Sequence, residues 1–318
     1  QCTERQGTST SARAALDHLL CVQYVTALRF DAIAEPAYHR SEKRMTAHIN
    51  IAVVTGGGHG IGRALCKRLA RDGVTVVVAD REPDAAANVA ADVGGTAHVL
   101  DVSDEAAMRA LVDTVERDTG AIDLFVSNAG VGFGDADGSA ASREGGIVPV
   151  DDRWEACWNI NLMAHVYAAR TLLPRMIERG GGHFVNVASA AGLLSQIGDA
   201  AYSATKHAAV AFAESLAITH GEQGIKVSVV CPQAVATRMI GIEDNAEAID
   251  GGFGGNDVDG ILSPDQVADD IVAGIREGRF LVLPHPQVQT YFQRKAADYD
   301  RWIAGMQRFR RNLEGEDS

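Results

Sequence analysis

The stretch from Ile51 to Arg63, Ile-Ala-Val-Val-Thr-Gly-Gly-Gly-His-Gly-Ile-Gly-Arg, constrains this chain more than any other. Its short apolar run reads as a strand buried on both faces, as parallel sheets require. Gly56, Gly60 and Gly62 then turn the chain and let backbone approach a phosphate with no Cβ in the way. The helix-forming sequence through Leu69 points unpaired N–H groups and a positive dipole end at that phosphate. A second apolar run, Val74 to Ala79, ends in Asp80, at about the distance from the turn where an acidic residue meets an adenosine ribose.

Strands and helices alternate beyond the turn, which predicts an α/β protein: a doubly wound parallel sheet in three layers. The expected elements are a helix over Pro83–Ala91, a strand over Thr96–Leu100 ending in Asp101-Val102, and a helix capped by Ser103 with Asp104 and Glu105 in its first turn. A strand over Ile122–Ser127 runs into Asn128-Ala129-Gly130, and a Gly-rich loop follows from Gly132 to about Val150. A long helix is expected from Asp152 to Arg179, with Trp154, Trp158, Leu162 and Val166 as a core or subunit-interface stripe. Strands over His183–Ala188 and Lys226–Val230 bracket an Ala-rich helix, Tyr202 to His220. The acidic, Gly-rich stretch from Arg238 to Leu262 reads as a lid or binding loop. Ser263-Pro264-Asp265 opens a helix to Arg276, and Phe280–Leu283 closes the sheet.

Residues 45–283 therefore form one domain, and 284–318 an amphipathic helical tail that covers either the active site or a neighbouring subunit. Residues 1–44 show no strand–helix alternation and no secretory signal, and we read them as an N-terminal extension outside the native fold. Met45 stands where such a fold begins.

Bulk properties narrow the partners. A net charge of −13 argues against nucleic acid or an anionic membrane surface, since both demand a basic face. No apolar run reaches the length of a membrane span. The five cysteines are scattered without metal-type spacing, which predicts reduced thiols in a cytoplasmic protein, with Cys231 a small buried hydrophobe. No H-E-x-x-H or carboxylate cluster suggests a metal. His59 reads as solvent-facing, and His207 as pointing off the face that carries Lys206.

Chemistry gathers downstream. Tyr202 and Lys206 are four apart on a helix, so they share a face. A free phenol, with a pKa of about 10, is a poor base at neutral pH, and a nearby ammonium favours the phenolate. Ser189 ends the fifth strand, where ligands collect in open α/β sheets, and its hydroxyl can hold a substrate oxygen beside the tyrosine. Asn161, in the long helix, completes the set.

The glycine pattern Thr-Gly-x-x-x-Gly-x-Gly, the Asn128-Ala129-Gly130 run, and Asn161, Ser189 and Tyr202-x-x-x-Lys206 together resemble the short-chain dehydrogenase/reductase family over nearly everything after Met45. The resemblance implies a Rossmann fold and a set of roles. Tyr202 would be the general acid/base, Lys206 would lower its pKa and bond the nicotinamide ribose, Ser189 would position the substrate oxygen, and Asn161 would hold a water in the proton relay. Gly56, Gly60, Ile61 and Gly62 would form the pyrophosphate turn, and Asp80 would meet the adenosine ribose. Asp101 and Val102 would contact adenine, and Asn128, Ala129 and Gly130 would line the floor. Pro232 to Thr237 would lie against the nicotinamide, with Val235 and Thr237 near the carboxamide.

Asp80 accepts from a 2′-hydroxyl and repels a 2′-phosphate, which favours NAD over NADP; Arg81 beside it partly offsets the repulsion. Two positions depart from the family pattern: Gln233 stands where glycine follows the proline, and Ser127 where a second asparagine is common.

The reading is an NAD-dependent oxidoreductase acting on a secondary alcohol or its ketone. Leu193, Leu194, Gln196, Val131, Val235 and Met239 make a mostly apolar pocket, which suits a medium-sized hydrophobic substrate. The alternatives are a 3-oxoacyl-type ketoreductase using NADP and a non-catalytic dinucleotide-binding scaffold, which would be expected to lack Tyr202 or Lys206. A dehalogenase-type relative would lack the glycines and the lysine. The resemblance also implies a homotetramer or homodimer joined through the helices at Asp152–Arg179 and Tyr202–His220.

Overall fold

The computed structural model describes residues 49–133, 152–242 and 259–314, within the compact unit Ile49–Ser318. The readings of residues 1–44, of most of the loop from 132 to 150, and of the centre of the 238–262 stretch fall outside the described residues.

Seven parallel strands form one sheet: β1 (Ile51–Thr55), β2 (Thr75–Asp80), β3 (Thr96–Val99), β4 (Leu124–Ser127), β5 (Gly182–Val187), β6 (Ile225–Val230) and β7 (Leu281–Val282). Their spatial order is β3-β2-β1-β4-β5-β6-β7, the doubly wound topology. Alternate strand residues feed two cores. On one face Val53, Val77, Phe125 and Phe184 pack against α3 (Glu105–Asp118), α5 (Ala164–Glu178) and α7 (Ala200–His220). On the other, Ala52, Val54, Val78 and Val126 pack against α1 (Gly60–Arg71), α2 (Pro83–Val93) and α8 (Pro264–Glu277). The three layers follow from the strands' apolar residues on both faces.

Strand order reverses between β1 and β4. Val54 lies beside Val126, so Gly56 and Asn128, just past these strands, meet at the carboxyl edge, where open α/β sheets bind ligands. The side-chain amide of Asn128 donates to the carbonyls of Thr55 (3.0 Å) and Gly56 (3.2 Å), bracing the turn.

Several local expectations change. Asp104, not Ser103, caps α3: its carboxylate accepts from the N–H groups of Ala106 and Ala107, while Ser103 Oγ donates to Asp101. Serine and aspartate cap about equally well, so the backbone path, which brings Asp104 rather than Ser103 to the free N–H groups, makes the choice. The long helix is interrupted: α4 (Asp152–Trp158) passes through a π-turn at Asn159–Met163 before α5. The extra residue in a π-turn shifts the phase of the stripe, which leaves Trp158 47% exposed while Leu162 is buried. Ser263 caps α8, as its sequence predicts, and Gln266 completes a capping box with it.

Asp298 divides the tail into α9 (Gln287–Ala297) and α10 (Tyr299–Glu314). Val288 and Lys295 of α9 are buried against their own chain, through the small helix α6 (Ala191–Leu194). Among the described residues, no helix is long and apolar enough to cross a membrane.

Candidate active site

Ser189 follows β5, and Tyr202 and Lys206 lie in the first two turns of α7, which Asp199 caps by accepting from the Tyr202 N–H at 2.9 Å. The Ser189 hydroxyl lies beside the Tyr202 hydroxyl, near enough to act on its ionisation. Ser189 Oγ accepts from the Ala191 N–H (3.1 Å) and donates to the Pro232 carbonyl (3.4 Å), which orients it toward the 232–237 segment. The Lys206 ammonium is buried, donates to the Val187 carbonyl at 3.0 Å, and stands 5.5 Å from the centroid of the Tyr202 ring. The helix spacing and the strand end thus bring three of the four expected catalytic side chains together.

Asn161 joins them from the π-turn, with a different use of its amide. Its Oδ1 accepts from the Val131 N–H (2.9 Å), and its Nδ2 donates to the Val131 carbonyl (2.9 Å) and to Thr205 Oγ1 (3.2 Å). Both ends of the side chain clamp the backbone after β4 to α7. A Cβ at Gly130 would come within 3.3 Å of both Asn161 Oδ1 and Lys206 Nζ, so glycine here lets the backbone pass close to the two side chains.

The electrostatics of the site are set by burial. Burial pushes Tyr202 up to about 12, and the Ser189 hydroxyl opposes the rise. Burial also pushes Lys206 down to about 8. Desolvation is the largest cause for both groups. Behind Lys206, fully buried His165 is held at about 3 by burial and by that same ammonium. Burial pushes the Cys231 thiol up to about 12, in keeping with a small buried hydrophobe.

The residues around the glycine turn fit a dinucleotide. Helix α1 starts without a side-chain cap and with no acidic residue in its first turn, which keeps its positive end suited to a phosphate. Gly56 turns the chain with φ +62°. A Cβ at Gly60 would come within 2.9 Å of the Thr237 methyl, so the 232–237 segment lies directly against the turn. Asp80 is buried at the end of β2; its Oδ2 accepts from the Gly58 N–H (2.9 Å) and its Oδ1 from the Glu82 N–H (3.0 Å). A carboxylate has about four lone-pair sites, so Asp80 retains capacity for ribose hydroxyls.

Ile61, Asn128, Ala129 and Gly130 are half-buried along this edge, and Gly62 is buried. Val102 is buried, and the Asp101 carboxylate, held below its ordinary range by two bonds from Ser103, is exposed. Among the pocket residues, Leu193, Leu194 and Val235 turn into the core, Val131 and Gln196 are half-buried, and Met239 is exposed.

His59 does not face solvent alone. Its Nε2 lies 3.0 Å from Glu82 Oε2 and 3.2 Å from a guanidinium nitrogen of Arg238, so it ties the turn to the end of β2 and to the segment after Thr237. His207 does leave the Lys206 face, to meet the Ser203 carbonyl and Lys295. Thr205, Asp199, His285 and Lys295 enter the site region without any motif to announce them. Their partners are mostly backbone groups, which leave no signature in a sequence.

Comparison with known proteins agrees with this geometry. Residues 50–247 match the family model described as short chain dehydrogenase. The 1-deoxy-11-beta-hydroxypentalenate dehydrogenase of Streptomyces avermitilis is 34% identical over 260 residues, which cover 80% of this chain and 91% of that protein. Among solved structures, a short chain dehydrogenase/reductase from Burkholderia phymatum in complex with NAD superposes with a TM-score of 0.67 and 27% identity, covering 79% of this chain and 94% of the other. A 3-ketoacyl-(acyl-carrier-protein) reductase from Brucella melitensis complexed with NADH gives a TM-score of 0.64 and 25% identity, covering 74% and 97%.

Proposed function

Since this chain belongs to the short-chain dehydrogenase/reductase family, and is thereby an oxidoreductase, we propose that it transfers a hydride between NAD and a medium-sized hydrophobic secondary alcohol or its ketone. The observation that carries the reading is the grouping of the Tyr202 and Ser189 hydroxyls, with Lys206 behind the tyrosine ring, at the carboxyl edge of the sheet beside the glycine turn.

The nicotinamide ring, when bound, accepts or gives the hydride. The protein's own work is to hold and move the proton. Ser189 Oγ and the Tyr202 hydroxyl converge on one substrate oxygen. In oxidation, Tyr202 in its phenolate form takes the alcohol proton as the carbinol C–H leaves as hydride; in reduction the protonated phenol gives its proton to the developing alkoxide. Lys206 holds positive charge at the back of the ring, and Asn161 fixes the floor against α7. Asp80 supports NAD over NADP through the ribose 2′-hydroxyl.

The likeness to a 3-ketoacyl-(acyl-carrier-protein) reductase keeps an acyl-ketoreductase as the second reading. The exposed Trp158 of α4 and Ile218 of α7 support pairing of these helices in a homodimer or homotetramer.

Titrating NAD and NADP against hydrophobic secondary alcohols, with reduced-coenzyme absorbance as the readout, tests the proposal. Turnover with NAD that vanishes in Tyr202→Phe supports it; tight NAD binding with no turnover on any alcohol or ketone overturns it in favour of a scaffold.

A further inference from the structure

His285 lies between β7 and α9 and is 2% exposed. Its Nδ1 is 3.2 Å from the backbone nitrogen of Gln233, and its Nε2 is 3.3 Å from the Gly260 carbonyl oxygen. A backbone N–H can only donate and a carbonyl can only accept. Both bonds are therefore made by one species, the neutral ring with its proton on Nε2. Burial, which holds the ring below its ordinary pKa, favours that neutral form.

The two partners belong to different segments of the site. Gln233 follows Pro232, whose carbonyl accepts from Ser189 Oγ and from the Ala190 N–H, and it begins the segment that packs on the glycine turn. Gly260 belongs to 259–262, which runs beside that segment: Val235 pairs with Leu262, the Ala236 N–H donates to the Leu262 carbonyl at 2.9 Å, and the Leu262 N–H donates to the Ala234 carbonyl at 3.1 Å. This ladder covers residues 234–236 and stops short of Gln233. His285 takes up the pairing where it ends, and Tyr291 of α9 holds the far side by donating to Asp259 Oδ1 at 2.9 Å.

We propose that His285 is a positioning residue that locks the coenzyme-facing segment 232–237 to the 259–262 segment, so that the two respond to coenzyme as one body. The coenzyme half of this inference rests on the dinucleotide reading above. Gln233 replaces the glycine that the family pattern has after the proline, and the ring fixes its backbone from behind, leaving the path beside the nicotinamide set by a side chain rather than by glycine.

The full chain is compared with His285→Leu, His285→Asn and His285→Gln by hydrogen–deuterium exchange without coenzyme and by NADH fluorescence titration. An Asn amide oxygen replaces the acceptor at Nδ1, and a Gln amide nitrogen replaces the donor at Nε2. The leucine variant is expected to exchange tenfold faster at 233–236 and at 260–262, and to bind NADH at least fivefold more weakly. The asparagine variant is expected to recover protection at 233–236 and NADH affinity to within about twofold, while 260–262 stays fast; the glutamine variant is expected to protect only 260–262. If leucine does not fold, the asparagine–glutamine contrast alone decides. Equal behaviour of those two variants, or wild-type exchange in the leucine variant, overturns the proposal. A wild-type protein that binds no NADH overturns the dinucleotide reading instead, and the exchange data still decide whether the segments are locked.

Discussion

Lys206 and Tyr202 face each other through the tyrosine ring, with the ammonium 5.5 Å from its centroid and bonded to the Val187 carbonyl at 3.0 Å. The arrangement leaves the phenol protonated, at about 12, and the amine only just charged, at about 8, in the coenzyme-free protein. A site of this kind is poised to respond to a further charge.

The sign of that response is fixed. A cation beside a phenol favours phenolate and beside an ammonium favours the amine, so both pKa values fall. Oxidised nicotinamide is cationic and reduced nicotinamide is not. NAD⁺ affinity should therefore rise relative to NADH affinity as pH increases from 7 to 9, with protons released on binding. Parallel titrations of the two coenzymes check this, and Tyr202→Phe should flatten the part of the slope that belongs to the phenol.

Lys206 should cost stability. Its folded pKa of about 8 lies below its ordinary 10.5, so the unfolded chain binds more protons between those values. Stability is then lowest below pH 8 and recovers as pH rises toward 10.5. Lys206→Met should raise unfolding free energy at pH 7 by about 1–2 kcal/mol, after the loss of the bond to Val187, and abolish turnover. Urea titrations at pH 7 and pH 10 should show the advantage shrinking at the higher pH.

Asp80 closes the turn with the carboxylate that, in the proposed function, also selects the coenzyme. Asp80→Ser should reduce the preference for NAD over NADP at least tenfold, about 1.4 kcal/mol, because the 2′-phosphate is no longer repelled and Arg81 stands beside it. Dissociation constants for both dinucleotides measure the change.

Lys295 donates to the Leu193 carbonyl at 2.6 Å, joining α9 to the helix after Ser189. Lys295→Met leaves that carbonyl without its donor and should cost about 1–3 kcal/mol in thermal unfolding. Substrate KM should rise more than coenzyme Kd, since the wall that loosens adjoins Ser189.

Much of the architecture is legible because its causes are local. Apolar runs bracketed by glycine specify β1 and its turn, Ser263-Pro264 with Gln266 specifies the start of α8, and a spacing of four puts Tyr202 and Lys206 on one helix face. The choice between Ser103 and Asp104 as cap is not legible at that level, since both are good capping residues and only the backbone path decides which reaches the N–H groups. The π-turn that exposes Trp158 is hidden for a related reason, since the same residues also satisfy an α-helical stripe.

By itself the sequence determined the doubly wound sheet, the glycine turn with Asp80 behind it, and the residue types of Ser189, Tyr202 and Lys206. Tertiary structure alone decided the charge states of that group, because desolvation depends on what surrounds a side chain rather than on its neighbours in the chain. It also decided that Asn161 clamps Val131, that His59 meets Glu82 and Arg238, and that His285 and Lys295 hold the walls of the site. Most of those partners are backbone groups, which are alike at every residue, so only the folded path brings a particular N–H or carbonyl within reach.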